Sequence, residues 1–67
     1  MTTGTSQFIK VKTKEGKVLD VATQPYEIGL YVCIYEDGRM VDQFGLDMSQ
    51  EKFIKSLQDN KDLEVLD

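Results

Sequence analysis

The sequence predicts an α+β domain in which an antiparallel four-stranded meander is followed by one C-terminal helix packed on one face of the sheet. Three observations predict this fold. Apolar and polar residues alternate from Phe8 onward, as in a strand with one buried face. Asp37-Gly38 is a strong hairpin signal between two strand-like runs. A helix start signal follows Asp47, so the expected order is β-β-β-β-α.

The length of 67 residues allows one domain, which we assign to residues 8–67. Residues 1–7 are polar and uncharged, and we expect them to form a disordered leader. A chain this short buries only about 60% of the surface that its unfolded form exposes, so its core supplies little net stability. Cys33 is the single cysteine, which excludes an internal disulfide. A partner subunit remains as the source of further stability, and we expect a homodimer.

The first two predicted strands flank residues 14–16 and form a hairpin. A two-residue loop would mix the apolar and lysine faces of the pair. A three-residue loop, with its glycine in the left-handed conformation, instead pairs Val11 with Leu19. It also sets Lys10 opposite Asp20, an attractive cross-strand pair. We prefer this register, because it separates the apolar residues from the lysines.

The third predicted strand, residues 26–36, is the most β-prone part of the chain. We expect Pro25 to end the ladder before it, because proline cannot donate a backbone hydrogen bond. Both faces of this strand carry apolar or aromatic residues. We therefore expect the strand to be central in the sheet and covered on both sides.

The turn that follows the third strand has the composition of a type I′ turn, in which both central residues take a positive φ. A regular ladder from this turn gives the pairs Glu36–Arg39, Ile34–Val41 and Tyr31–Phe44. One face of the hairpin is then a candidate interaction surface, formed beside Cys33 by Tyr31, Tyr35, Met40 and Phe44.

One helix is predicted after the meander. Ser49 is the expected N-cap, and Glu51 lies in the first turn, where the helix dipole favours a carboxylate. The apolar stripe of the helix is narrow and consists of Phe53, Ile54 and Leu57. The helix should end near Asn60. The apolar residues within 63–66 then form either a short fifth strand at an edge or a loosely packed tail.

The composition excludes the common catalytic and metal sites. No histidine is present, which rules out Ser-His-Asp catalysis, Cys-His catalysis and Cys-His zinc sites. Cys33 lies mid-strand among apolar residues, where a thiol without a neighbouring base is inert. No Walker-type or GxGxxG spacing occurs. We expect no enzymatic activity, no cofactor and no dedicated metal site.

The sequence predicts a cytoplasmic protein without a membrane partner. Residues 1–7 have neither the basic start nor the apolar core of a secretory signal. No apolar run approaches the roughly 20 residues that a membrane span requires. A lone free cysteine fits a reducing compartment.

The net charge of −4 conceals an asymmetry along the chain. Residues 1–20 carry four lysines against two acids, a sum of +2, whereas residues 21–67 carry four basic residues against ten acids, a sum of −6. Basic side chains near sheet tyrosines are candidate contacts for single-stranded nucleic acid. The candidates are Lys10, Lys12, Lys14, Lys17 and Arg39. Outward lysines on a first strand also protect a sheet edge from aggregation, and both interpretations stay open.

The second half of the chain is similar in layout to the single-stranded-DNA-binding domains of the PC4 coactivator family. The similarity is carried by residues 36–40, with their Asp-Gly turn, and by residues 45–53, where a Gly-apolar-x-apolar-Ser segment leads into a helix. In that family a four-stranded sheet runs into such a helix and the protomers dimerise. The resemblance implies the same order of elements, a homodimer and binding of single-stranded DNA.

The leading functional hypothesis is a small, non-enzymatic protein-interaction module, either an accessory factor or an inhibitor. It acts through a sheet face or through the acidic half, residues 21–67, because one narrow helix cannot cover both apolar faces of the sheet. A sharper form has the acidic half imitating nucleic acid, as in some small phage-type inhibitors. The alternative is a single-stranded nucleic-acid-binding protein that uses the tyrosines of the sheet and the strand lysines Lys10, Lys12 and Lys14.

Overall fold

The computed structural model describes residues 6–66, in which one antiparallel sheet carries one helix. The elements are β1 (Gln7–Thr13), β2 (Val18–Tyr26), β3 (Gly29–Glu36), β4 (Arg39–Leu46), α1 (Gln50–Asp59) and β5 (Leu63–Val65). The order across the sheet is β4-β3-β2-β1-β5. The predicted α+β meander with a C-terminal helix is confirmed, and a short fifth strand lies beside β1.

The sheet begins earlier than the sequence predicted. β1 starts at Gln7, which lies opposite Thr23 of β2, so the last residue of the predicted leader belongs to the first strand. Ser6 already contacts the sheet, because its hydroxyl donates a hydrogen bond to the side-chain oxygen of Gln24. The rest of the predicted leader, residues 1–5, lies outside the described residues.

The β1–β2 hairpin has the predicted three-residue loop. The backbone N–H of Thr13 donates to the Lys17 carbonyl at 2.8 Å, and that of Gly16 donates to the Thr13 carbonyl at 2.9 Å. Gly16 has a φ of +89°, the left-handed conformation that this loop requires. Val11 lies opposite Leu19, so the predicted register is confirmed.

β2 continues through Pro25 and turns later than predicted. Its last residue is Tyr26, which pairs with Gly29 across a two-residue loop, so the next strand starts at Gly29. The prediction that Pro25 ends the ladder is wrong, because Pro25 pairs with Leu30 of β3. Proline is tolerated there because β1 pairs with β2 only as far as Thr23. Within the described range, no β1 residue lies opposite Pro25 to accept the N–H that proline lacks.

The β3–β4 turn has the predicted geometry. Asp37 and Gly38 have φ values of +54° and +79°, which is the type I′ pattern. Glu36 and Arg39 form the pair that closes the turn. The hairpin predicted at this dipeptide is confirmed.

A β-bulge at Val41 shifts the rest of β4 by one residue. The two pairs predicted beyond it, Ile34 with Val41 and Tyr31 with Phe44, are therefore wrong. Phe44 lies opposite Val32 instead. A shift of one residue moves a side chain to the other face of a sheet, so Phe44 packs against the core and away from Tyr31.

Helix α1 has the predicted caps. The Ser49 hydroxyl oxygen accepts a hydrogen bond from the backbone N–H of Lys52 at 3.2 Å, and Glu51 lies in the first turn. The backbone N–H of Asn60 donates to the Leu57 carbonyl at 3.3 Å, where the helix ends. The chain then turns back and adds β5 antiparallel to β1.

The core lies between α1 and one face of the sheet. Its buried apolar side chains come from three strands and the helix and are Val11, Val21, Leu30, Val32 and Phe53. Thr23 is also buried, but its hydroxyl is satisfied: it donates to the Gln7 carbonyl at 3.3 Å and accepts from the Gln50 side-chain amide at 2.8 Å. These hydrogen bonds connect the start of the helix to β1 and β2.

Candidate interaction surface

The face of the sheet opposite α1 has no covering element among residues 6–66, and we call it the open face. Side chains alternate between the two faces of a strand, so the strand registers assign each residue to one face. The registers align three rows of residues across the open face: Phe8–Ala22–Cys33–Gln43, Lys10–Asp20–Tyr35–Met40 and Gln24–Tyr31–Gly45.

The open face is rich in exposed apolar and aromatic side chains. Phe8 is 71% exposed, Tyr26 is 55% exposed and Met40 is 50% exposed. Tyr31 and Tyr35 lie half-buried on the same face. Apolar side chains grouped on one uncovered surface are typical of protein–protein contact sites.

Two tyrosines at one end of the open face contact each other. The ring centroids of Tyr26 and Tyr31 are 6.3 Å apart, and the ring planes are inclined by 56°, a tilted arrangement that aromatic pairs favour. The Tyr31 hydroxyl donates a hydrogen bond to the side-chain oxygen of Gln43. These contacts hold the two rings in place, so this part of the surface is preformed.

The lysines of the open face do not form a continuous cationic surface. Lys10 lies opposite Asp20 of β2, and Lys12 lies opposite Glu64 of β5. Each lysine therefore has an acidic residue directly opposite it on the neighbouring strand, a position at which opposite charges attract. The two lysines and the two acids have a net charge of zero.

The other three candidate nucleic-acid contacts lie at turns. Lys14 is the first residue of the β1–β2 loop and Lys17 follows the loop, and the Lys14 amino group lies 3.5 Å from a carboxylate oxygen of Asp62. Arg39 pairs with Glu36 at the β3–β4 turn. The five predicted contacts are thus divided between the open face and two turns, and they do not form one basic patch.

The lysines of β1 do not protect a free edge of the sheet. β5 pairs with β1 over residues 11–13, and the Leu66 N–H donates to the Lys10 carbonyl at 2.9 Å. The edge-protection interpretation is wrong for this part of β1. The edge strands are β4 and the short β5. On β4 the Asp42 carboxylate accepts a hydrogen bond from the Gln43 backbone N–H at 2.9 Å, which blunts that edge.

The structure divides the predicted interaction surface between two faces. Three of its four residues lie on the open face: Tyr31, Tyr35 and Met40. Phe44 lies on the helix side. Phe8 and Tyr26 were missed. Phe8 did carry a signal, because it alternates in phase with the lysines of β1. Tyr26 ends β2, whereas the sequence predicts it at the start of the third strand.

A cleft of about 790 Å³ lies between the β2–β3 turn and the start of α1. The charged side chains that line it are all acidic and are Glu27, Asp47 and Glu51. Such a lining disfavours an anionic ligand. Within the described range, no group of three or more His, Cys, Asp or Glu side chains is arranged to hold a metal ion.

No helix among residues 6–66 has both the length and the apolar character needed to cross a membrane. Comparison of the chain with protein-family models, with curated proteins and with solved structures finds no match.

Proposed function

We propose that the chain is a small, non-enzymatic protein-interaction module that docks a protein partner through its open face. The proposal is carried by the exposed aromatic and apolar side chains on that face, such as Phe8, Tyr26 and Met40. One ten-residue helix covers the opposite face of the sheet. Contact with another protein removes this apolar surface from water, which is the main driving force of association.

The charges of the open face favour a protein partner over a nucleic acid. Its two lysines lie opposite two acids, so a phosphate backbone meets a surface without net positive charge. The whole chain has a net charge of −4, which repels a polyanion. A protein partner with an apolar surface has no such repulsion to overcome.

The open face supports this function better than the acidic half, residues 21–67. A mimic of nucleic acid presents carboxylates in a regular row on one surface. Here three of the acids line the cleft beside α1, but Asp42 is on the edge of β4 and Glu64 is on the open face, so the acids do not form one row. Their distribution is that of solvated surface charges.

The proposed location of this activity is the cytoplasm. Cys33 is a free thiol that lies half-buried on the open face. Thiols stay reduced in the cytosol, so the docking surface remains free of disulfide cross-links there.

A matched pair of substitutions tests the proposal. Phe8 and Ile28 are both highly exposed, 71% and 88%, but Phe8 lies on the open face, whereas Ile28 lies in the β2–β3 turn and lines the cleft beside α1. The wild-type chain and each variant are immobilised and incubated with an extract of the source cells. Retained proteins, including further copies of the chain itself, are identified by mass spectrometry. We expect Phe8→Glu to lose proteins that the wild type and Ile28→Glu retain.

Circular dichroism of both variants controls for folding before the retention assay. If Phe8→Glu retains the same proteins as the wild type, the open face is not the docking surface. Equal losses in Phe8→Glu and Ile28→Glu also contradict the proposal, because only Phe8 lies on that face.

A further inference from the structure

We infer that the partner on the open face is a second copy of this chain, an inference that rests on the function proposed for that face. The two copies pack face to face about a two-fold axis that runs parallel to the strands, between β1 and β2. Such an axis places β1 of one copy over β2 of the other and keeps each row of residues over the same row. Each β1 residue of one copy therefore lies over the β2 residue that is its cross-strand partner within a single chain.

Under this axis, the row that contains Phe8 is complementary in shape to the same row of the second copy. Phe8 is 71% exposed, and the residues next to it across the row, Ala22 and Cys33, have short side chains. The neighbouring rows carry the larger Tyr31 and Tyr35 on either side of this position. The axis sets Phe8 of each copy over Ala22 of the other. Each phenyl ring then packs into the depression above the short side chains of the opposite copy, and the contact occurs at two symmetric positions.

The charged row is also complementary to itself. Lys10 and Asp20 are opposite each other on β1 and β2, so an axis between these strands sets Lys10 of each copy over Asp20 of the other. Opposite charges meet at both positions, and like charges do not. The charges of the open face sum to zero, and the remaining charged residues of each chain carry the net charge of −4. The face-to-face contact therefore avoids the repulsion between two acidic chains.

The size of the face matches a stable dimer. The molecule measures 38 × 25 × 18 Å, so it is broad and thin. A face bounded by the two longer dimensions is of the order of the ~800 Å² that each partner buries in a standard interface. A second copy also supplies apolar burial that so short a chain lacks, since only five apolar side chains are buried among residues 6–66.

Phe8→Ser and Ile28→Ser form a matched pair that tests the apolar contact. Both side chains are highly exposed, 71% and 88%, so neither change removes core packing, but only Phe8 lies on the open face. Sedimentation equilibrium of the purified wild type and of Ile28→Ser should give twice the chain mass of 7.7 kDa. Phe8→Ser should raise the dimer dissociation constant by about 10-fold or more, because two phenyl rings leave the interface.

A pair of charge reversals tests the axis. Lys10→Asp alone and Asp20→Lys alone should each dissociate to monomers at concentrations where the wild type is dimeric, because like charges then meet across the axis. An equimolar mixture of the two variants should restore a dimer, since each chain then carries the charge that the other lacks. Native mass spectrometry distinguishes this mixed dimer from the two homodimers by mass.

Three results would overturn the inference: a wild type that stays monomeric up to about 1 mM, a Phe8→Ser variant as dimeric as the wild type, or a mixture of the charge-reversed variants without a mixed dimer. These results are separate from the retention assay above. If the purified chain is monomeric but Phe8→Glu still loses a retained protein, the second copy is excluded and the docking function of the open face stands.

Discussion

Gly38 occupies the second position of the β3–β4 turn with a φ of +79°, in the left-handed region. Valine is β-branched and strongly disfavours that region. We expect Gly38→Val to lower the free energy of unfolding by about 1–2 kcal/mol, measured by urea denaturation. Asp37→Asn is the control, because asparagine tolerates a positive φ. An unchanged unfolding midpoint for Gly38→Val would contradict the type I′ geometry of this turn.

Gly29 is required for a different reason, the close approach of the β4 backbone. A Cβ atom at Gly29 would lie 2.3 Å from the Leu46 carbonyl oxygen. We expect Gly29→Ala to destabilise the fold by about 2 kcal/mol or more, because backbone must move to accept the methyl group. Thermal unfolding followed by circular dichroism measures the effect.

Gly45→Ala is the matched control for this close approach. A Cβ atom at Gly45 has its nearest neighbour, the Leu30 carbonyl oxygen, at 3.9 Å, an ordinary contact distance. The change should alter stability by no more than about 0.5 kcal/mol. Equal destabilisation by Gly29→Ala and Gly45→Ala would show that the close contact with β4 is not what requires a glycine.

The glycines differ in how far the sequence predicts their roles. Gly16 and Gly38 follow acidic residues at turn positions, and both were assigned from these local signals. Gly29 was not assigned a role, because its constraint comes from Leu46, which is distant in the chain and approaches only through the β3–β4 pairing. A close backbone contact of this kind has no signature in the amino-acid sequence.

At the scale of single elements, the N-cap of α1 makes a measurable contribution. Ser49 accepts the backbone N–H of Lys52 at 3.2 Å, so Ser49→Ala leaves that donor without its cap and should cost about 1 kcal/mol of unfolding free energy. Ser56→Ala is the control, because Ser56 lies within the helix and its hydroxyl donates to the Phe53 carbonyl. Chemical denaturation of the two variants compares them, and equal losses would contradict a specific role for the cap.

The elements were predicted where their signals are local. The β1–β2 loop, the type I′ turn and the Ser49 cap depend on a few adjacent residues, and all three are confirmed. The course of β2 through Pro25 depends on where β1 begins, which is a property of the sheet. The bulge at Val41 has no recognisable local signal, yet it moves Phe44 to the other face.

At the scale of the whole molecule, charge separates the two functional hypotheses. The open-face lysines lie opposite acids and the chain has a net charge of −4. We therefore expect no detectable binding of a single-stranded oligonucleotide at physiological salt, measured by fluorescence anisotropy. Binding that falls steeply with salt, and that Lys12→Gln weakens but Lys52→Gln does not, would establish the nucleic-acid alternative instead.

The candidate site was predicted only in part. The sequence predicts Tyr31, Tyr35 and Met40 on one face. Tyr31 and Tyr35 are both on β3, and Met40 lies between the turn and the bulge, where the pairing is still regular. Phe8 joins them only because β1 pairs with β2, which in turn pairs with β3. The residues that form a surface of three or four strands depend on the register of every strand pair. An error in one register therefore changes which residues lie on the surface.

The amino-acid sequence by itself determined the α+β class, the order of the elements, the register of the first hairpin and the limits of α1. These features follow from backbone preferences and apolar periodicity over a few neighbouring residues. Only the tertiary structure decided that β5 closes the edge of β1, that Phe44 belongs to the core, and that Phe8 and the tyrosines share an uncovered face. Strand pairing joins residues that are distant in the chain, and one added residue inverts the faces of all that follows, so no local pattern specifies these results.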